Sequence, residues 1–284
     1  MSSPHHRTTV ALLGYGRFGH AFADLLHKAG YAVAVFDPHA AVPAALRRAS
    51  LADAVRGAEW IVLAVPVPAI QGILHELRPL LVHGQTVIDV GSVKELPCRL
   101  MDEVLGADVP HAGTHPLFGP LSLARNERPL RCVLCASAQH PDAARRTRAL
   151  FESIDCEVIE HEAASHDRAM AETHALAFFI AKALVDMGIG EDLSMAPPSF
   201  LGLANMLAAV RGDAGHLFAA IQRENPYAAQ ARAAFIAHLT AIHRSLSDKE
   251  GAALSIPDMP ESGYARAARV SRRRRSLLES VPKP

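Results

Sequence analysis

The feature that most constrains this chain is Gly14-Tyr15-Gly16-Arg17-Phe18-Gly19. It stands between a short apolar run, Val10 to Leu13, and a segment that puts Phe18, Ala21, Phe22, Leu25, Leu26 and Ala29 on one helical face. A strand, a glycine turn and a helix in that order form a dinucleotide fingerprint. Gly14 permits the tight turn, Gly16 lets a pyrophosphate approach the backbone, and Gly19 lets the helix pack closely on the sheet, with the helix N-terminus facing the phosphates. Tyr15, Arg17 and Phe18 fill the remaining positions of the same cofactor-binding turn. Asp37 closes the second strand 18 residues after Gly19. A carboxylate there accepts hydrogen bonds from the adenosine ribose hydroxyls and repels a 2′-phosphate, so NAD is favoured over NADP. The bland alternative is a glycine turn and a helix-capping Asp without ligand, against which strand, helix and acid count together.

Further apolar strands are expected at Tyr31–Phe36, Trp60–Val65 and Thr86–Val90, each separated from the last by a helix-like or loop stretch. After His115 follow a strand at Arg131–Ala136, a helix over Pro141–Ser153 and a strand at Cys156–Ile159. Alternation of this kind implies an α/β fold with a doubly wound parallel sheet of Rossmann type, because parallel strands need crossover connections. From Glu162 the strand signals stop, and helices are expected at about 165–188, 198–211, 213–222 and 226–247. The chain therefore divides into an NAD-binding domain over 1–161, an all-α substrate and dimerisation domain over 162–250, and a basic C-terminal tail over 251–284. Ala175 to Leu184 is apolar over more than one stripe, which suits a homodimer interface. In the tail, Ala265 to Pro284 holds seven basic residues against Glu279, and a solvated extension is the default reading.

Composition removes several other classes. Lys+Arg and Asp+Glu both number 29, so the body has no general basic field for nucleic acid. The longest apolar run, Trp60 to Ile70, is broken by Pro66 and Pro68 and is too short for a membrane helix. Met1 to Thr9 are polar and lack a secretory pattern, so a cytoplasmic location is expected. Cys98, Cys132, Cys135 and Cys156 are too few for a disulfide framework and are read as reduced thiols. The 16 histidines show no metal-ligand spacing, and no metal is expected.

Candidate chemistry gathers at strand ends. Val65-Pro66 after the third strand and Asp89-Val90-Gly91-Ser92-Val93-Lys94 after the fourth put two loops at the carboxyl edge of the sheet, where open α/β sheets hold ligands. Val65, Pro66 and Ser92 are thereby cofactor-binding candidates, with Ser92 near the nicotinamide end. Gly113-Thr114-His115-Pro116-Leu117-Phe118-Gly119-Pro120 reads as a loop that holds one imidazole among turn formers. A neutral imidazole accepts an alcohol proton near pH 7 during hydride transfer, whereas a turn histidine also serves simply to bond backbone. The residues themselves leave both readings open.

Taken together, GYGRFG, DVGSVK, GTHPLFGP and the segment His166-Asp167 through Thr173-His174-Ala175-Leu176 resemble the prephenate/arogenate dehydrogenase family over roughly residues 8 to 247. HPLFGP carries the most specific part of that resemblance. The resemblance implies that His115 is the catalytic acceptor for the substrate ring hydroxyl, with Ser92 bonding both that hydroxyl and the histidine, while Lys94 shapes the loop. Thr114 and His174 would face substrate, although the stretch around His174 departs from the family's and a histidine satisfied within a helix core is the competing reading. His166-Asp167 matches a family His-Asp pair at a helix start, where capping is the default role. Members that act on prephenate commonly clamp its side-chain carboxylate with an arginine. Ala208 or Ala209 aligns there, leaving Arg211 on the next turn as a substitute. Gly212-Asp213 and Asn225-Pro226-Tyr227-Ala228 look closer to plant-like arogenate dehydrogenases, which makes Asp213 a substrate-binding candidate beside its alternative role as an N-cap.

The implied activity is NAD-dependent oxidative decarboxylation of a cyclohexadienyl acid in tyrosine biosynthesis, from arogenate or prephenate. Three alternatives stand beside it. One is a dehydrogenase for 4-amino-4-deoxyprephenate, and another a hydroxyacid or imine reductase, against which HPLFGP speaks. The third is a non-catalytic NAD-sensing or scaffold protein on the same fold.

Overall fold

The computed structural model describes residues 8–211 and 215–247. Its first part alternates β1 (Thr9–Leu13), α1 (Arg17–Lys28), β2 (Ala32–Phe36), α2 (Leu51–Val55), β3 (Trp60–Leu63), α3 (Ile70–Leu77), β4 (Thr86–Asp89), α4 (Glu95–Leu105), β5 (His111–Pro116), α5 (Pro120–Ala124), β6 (Leu130–Ala136), α6 (Pro141–Glu152) and β7 (Cys156–Glu160). The strands form one sheet in the order β2-β1-β3-β4-β5-β6-β7. Because successive side chains on a strand point to opposite faces, β1 sends Val10 and Leu12 into one core with Phe22, Leu26, Val62 and Phe151. Ala11 and Leu13 enter the other with Ile61, Ile70, Leu74 and Met101. Both faces are therefore covered, as a doubly wound sheet requires.

Two expectations need correction here. The sheet is mostly rather than wholly parallel, since β6 runs antiparallel to β5. Only the five-residue helix α5 lies between those two strands, and it does not make the long crossover that a parallel return needs. In addition, His115 lies on a strand and not in a loop. His111-Ala112-Gly113-Thr114-His115-Pro116 has no alternation and, in Thr114, a single β-branched residue, yet it pairs with β4 on one side and β6 on the other, and all six residues are buried. Pairing on both edges overrides a weak local propensity.

After β7 the chain is helical among the described residues. The elements are α7 (Ala163–Met170), a π-turn (Ala171–Ala175), α8 (Leu176–Asp186), α9 (Pro198–Arg211), α10 (Gly215–Glu224) and α11 (Ala228–Ser247). The single helix expected over 165–188 is thus interrupted by the π-turn. Phe178, Phe179 and Ile180 of α8 are half-buried in the single chain. The chain divides into two units, Met1–Ile236 and a second that begins at Ala237. The basic tail and Asp213 lie outside the described residues. No helix among those residues is long and apolar enough to cross a membrane.

Candidate active site

The glycines of the fingerprint do three different things. Gly14 has φ +102°, and a Cβ there would collide with the carbonyl oxygen of Ala64 just past β3. A Cβ on Gly19 would strike the Gly14 carbonyl in turn, so these two glycines let turn, strand and helix approach. A Cβ on Gly16, by contrast, would meet no atom within 4 Å. Gly16 is the N-cap of α1 and offers no side-chain bond to that helix's first N–H groups. An open cradle over an uncapped helix N-terminus fits a pyrophosphate. The cradle lies where β1 has β2 on one side and β3 on the other, the switch point at which doubly wound sheets bind ligands.

Asp37, directly after β2, supports the same cleft. One carboxylate oxygen accepts the Tyr15 N–H at 2.7 Å, and the other accepts those of His39 and Ala40 at 2.8 and 3.0 Å. Burial pushes this carboxyl up, but the three backbone N–H bonds outweigh it and hold the group below its ordinary value. Tyr15, Gly16 and Arg17 line a surface cavity of about 360 Å³ with His20, Ala41 and Pro43. Val65 is half-buried and Pro66 exposed at the β3 end of the cleft. Phe18 stacks on Phe22 at 5.6 Å and meets Phe118 at 6.0 Å, joining the fingerprint helix to the HPLFGP segment.

Behind the cleft lies a fully buried ion pair that sequence reasoning missed. Lys94 pairs with Asp89, and both side chains have no exposed surface. The ammonium also donates to the Thr114 carbonyl at 2.6 Å, while Asp89 accepts the N–H groups of Gly91 at 2.9 Å and Thr114 at 3.3 Å. These bonds hold the Val90–Lys94 loop, and with it the half-buried Ser92, against β5. Thr114, expected to face substrate, is completely buried, and its hydroxyl donates to the Asp89 carbonyl.

His115 is buried as well, 4% exposed. Its Nδ1 lies 2.8 Å from His166 Nε2, and His166 Nδ1 lies 2.7 Å from Asp167 Oδ1. Asp167 does not cap its own helix. It sits in the middle of α7, and its carboxylate accepts the N–H groups of Lys94 at 2.8 Å and Glu95 at 2.9 Å, capping α4 from another part of the chain. Asn225 then donates to the Asp167 carbonyl at 2.7 Å and bonds the Tyr227 N–H, tying the turn after α10 to the same residue. His174, carried on the π-turn, lies parallel to the His115 ring at 6.1 Å and edge-on to Phe178 at 4.6 Å. Burial, aided by His166, lowers the His174 value to about 4. Burial, then His166, His174 and Lys94, hold His115 well below 6.5. Both imidazoles are therefore neutral at pH 7, which suits proton acceptance. Arg211 takes no part in this cluster through its described bond. It is exposed, and its guanidinium meets the Gly190 carbonyl at 3.5 Å.

The structure thus joins His115, His166, Asp167, Lys94 and His174, drawn from three stretches of sequence. Only the resemblance to a family His-Asp pair signalled Asp167, and nothing local signalled that it reaches across to α4.

Parts of the chain are similar to known proteins. Residues 38–154, starting just after Asp37, match the family described as prephenate dehydrogenase, nucleotide-binding domain. A probable arogenate/prephenate dehydrogenase of Methanocaldococcus jannaschii is 24% identical over 208 residues, covering 70% of this chain and 46% of its own. The T-protein of Haemophilus influenzae is 29% identical over 204 residues, covering 70% of this chain and 48% of its own. The chain spans about half the length of these curated relatives. Among solved structures, the prephenate dehydrogenase from A. aeolicus in complex with hydroxyphenyl propionate and NAD+ aligns with a TM-score of 0.68 at 19% identity, covering 97% of this chain and 100% of that one. At that identity the likeness is one of fold.

Proposed function

We propose that this chain is a member of the prephenate/arogenate dehydrogenase family, to which its nucleotide-binding part and its curated relatives are similar, and that it oxidises and decarboxylates a cyclohexadienyl acid using NAD. The observation that carries this reading is a buried, neutral His115 held beside a cleft whose glycine cradle fits a dinucleotide. Gly16 and the N-terminus of α1 would hold the pyrophosphate, and Asp37 the adenosine ribose. When bound, NAD supplies the hydride acceptor for the ring carbon that bears the hydroxyl. His115 accepts the hydroxyl proton, and Ser92, held nearby by the Lys94–Asp89 pair, orients that hydroxyl. The ring carboxylate then leaves as carbon dioxide, driven by aromatisation. In this reading helices α7 and α8 border the substrate, and the chain forms a homodimer through the half-buried apolar face of α8.

Arogenate is the preferred substrate in this reading. It carries an ammonium where prephenate has a keto group, the family's arginine position holds Ala208 or Ala209, and Asp213 supplies a carboxylate in the same segment. Offering arogenate, prephenate and 4-amino-4-deoxyprephenate separately to the purified chain with NAD, and following reduced cofactor, tests both levels. Turnover of none of the three would refute the activity. Asp213→Asn should shift the efficiency ratio toward prephenate, because Asn caps a helix but does not pair with an ammonium; an unchanged ratio would remove Asp213 from recognition.

A further inference from the structure

The chain His115–His166–Asp167 is buried from end to end, and its acceptors fix which atoms carry protons. Asp167 receives three donors: the N–H groups of Lys94 and Glu95 and the Nδ1 of His166. Two of these are backbone amides and can only donate, so the carboxylate is the fixed acceptor end. Where His166 holds a single proton, the carboxylate places it on Nδ1, and Nε2 is left as a lone pair. The His115 nitrogen facing that lone pair, Nδ1 at 2.8 Å, must then carry the proton. The consequence falls on the opposite side of the ring, where Nε2 of His115 is left bare.

We propose that His166 and Asp167 are positioning residues that lock His115 in the Nδ1–H tautomer, so that its Nε2 is always the proton acceptor. This inference rests on the dehydrogenase reading for its consequence, but the tautomer itself does not depend on any substrate. In the proton step, the substrate O–H bond breaks and an N–H bond forms at His115 Nε2. The imidazolium so formed keeps Nδ1–H donated to His166, and the Asp167 carboxylate at the end of the chain stabilises the new positive charge. That stabilisation matters because the other groups facing His115 oppose a second proton or offer no charge. The Lys94 ammonium and the His174 imidazole disfavour it, His166 accepts the Nδ1 proton without bringing a negative charge of its own, and Cys132 on β6 is a thiol whose value burial raises. Asp89 is engaged by Lys94. The same carboxylate caps α4, so the residue that sets the tautomer also fixes the helix that follows the Ser92 loop.

The test is nitrogen NMR of the full chain labelled with ¹⁵N-histidine, with no substrate, joined to steady-state kinetics. In the parent, His115 should show a protonated Nδ1 and a bare Nε2. His166→Phe keeps a ring of similar shape but offers no acceptor. It should give mixed His115 tautomers and lower kcat about 10²- to 10⁴-fold, with the KM for NAD changing about twofold or less. His166→Gln offers an amide oxygen to Nδ1–H and should recover part of both the tautomer and kcat. Asp167→Asn removes the charge and should move the acid limb of the kcat profile to lower pH, because the His115 imidazolium loses its counter-charge. A parent spectrum with the proton on His115 Nε2 would overturn the proposal, as would a His166→Phe protein that keeps the parent's tautomer and kcat. Should His166→Phe fail to fold, the parent spectrum and His166→Gln decide. A protein with the Nδ1–H tautomer and no turnover would support the lock while refuting the dehydrogenase reading.

Discussion

Replacing Lys94 with Met tests whether the buried ion pair holds the site together. Lys94 and Asp89 have no exposed side-chain surface, so solvent screens neither charge. Met fills most of the volume of the lysine stem, so little cavity is created and the loss is chiefly electrostatic. Asp89 would keep the N–H groups of Gly91 and Thr114 at 2.9 and 3.3 Å but lose its counter-ion, and the Thr114 carbonyl would lose its donor. Leaving one member of such a pair buried alone costs about 3–5 kcal/mol. At roughly 2–4 °C per kcal/mol for a domain of this size, the melting temperature should drop by about 6–20 °C. Scanning calorimetry of Lys94→Met, Asp89→Asn and the double variant measures this. The double variant should recover at least half of the loss, because it removes both charges. If Lys94→Met melted within about 2 °C of the parent, or the two single losses simply added in the double variant, the assigned role of the pair would be wrong.

Gly16→Val should leave the melting temperature near the parent's and weaken NAD binding by calorimetry, because the added side chain meets no protein atom and fills the cradle; Gly14→Ala should lower both, because it collides with the Ala64 carbonyl. Asp37→Ala should relax the preference for NAD over NADP in a titration, removing both the ribose bonds and the repulsion. Since the folded value of Asp37 is lowered, its contribution to stability is present above the ordinary carboxyl value of 3.8 and is lost as pH falls through the lower folded value, a loss that Asp37→Asn should abolish in denaturant titrations below pH 4. His174 and His115 act in the same sense but at higher pH: the unfolded chain takes up protons below 6.5 that the folded chain refuses, so stability should fall as pH drops from 6.5 toward 4, and His174→Gln should flatten that slope. Sedimentation at micromolar concentration should find a dimer, and a strictly monomeric species would refute the α8 interface.

Much of this protein was legible in its sequence because the relevant signals are local. The glycine spacing, the apolar strand runs and the 18-residue step to Asp37 each depend on neighbours in the chain, and strand–turn–helix order fixes their chirality and placement. HPLFGP marked His115 for the same reason. What the sequence could not state was where that histidine would stand. β5 lacks strand propensity and exists because β4 and β6 pair with both of its edges, so a segment rich in turn formers became a buried strand. The antiparallel pairing of β6 with β5 was not announced by any local signal either. Asp167 is the clearest case. On the sequence it is an acid near a helix start, yet its carboxylate meets the amides of residues more than 70 positions earlier and a histidine that reaches to His115. Hydrogen-bond partners at such separation are chosen by how sheet and helices pack, because only packing decides which donors a buried acceptor finds. The candidacy of His115 was thus written locally, whereas its burial, its neutrality and the partners that orient it were decided by the tertiary structure.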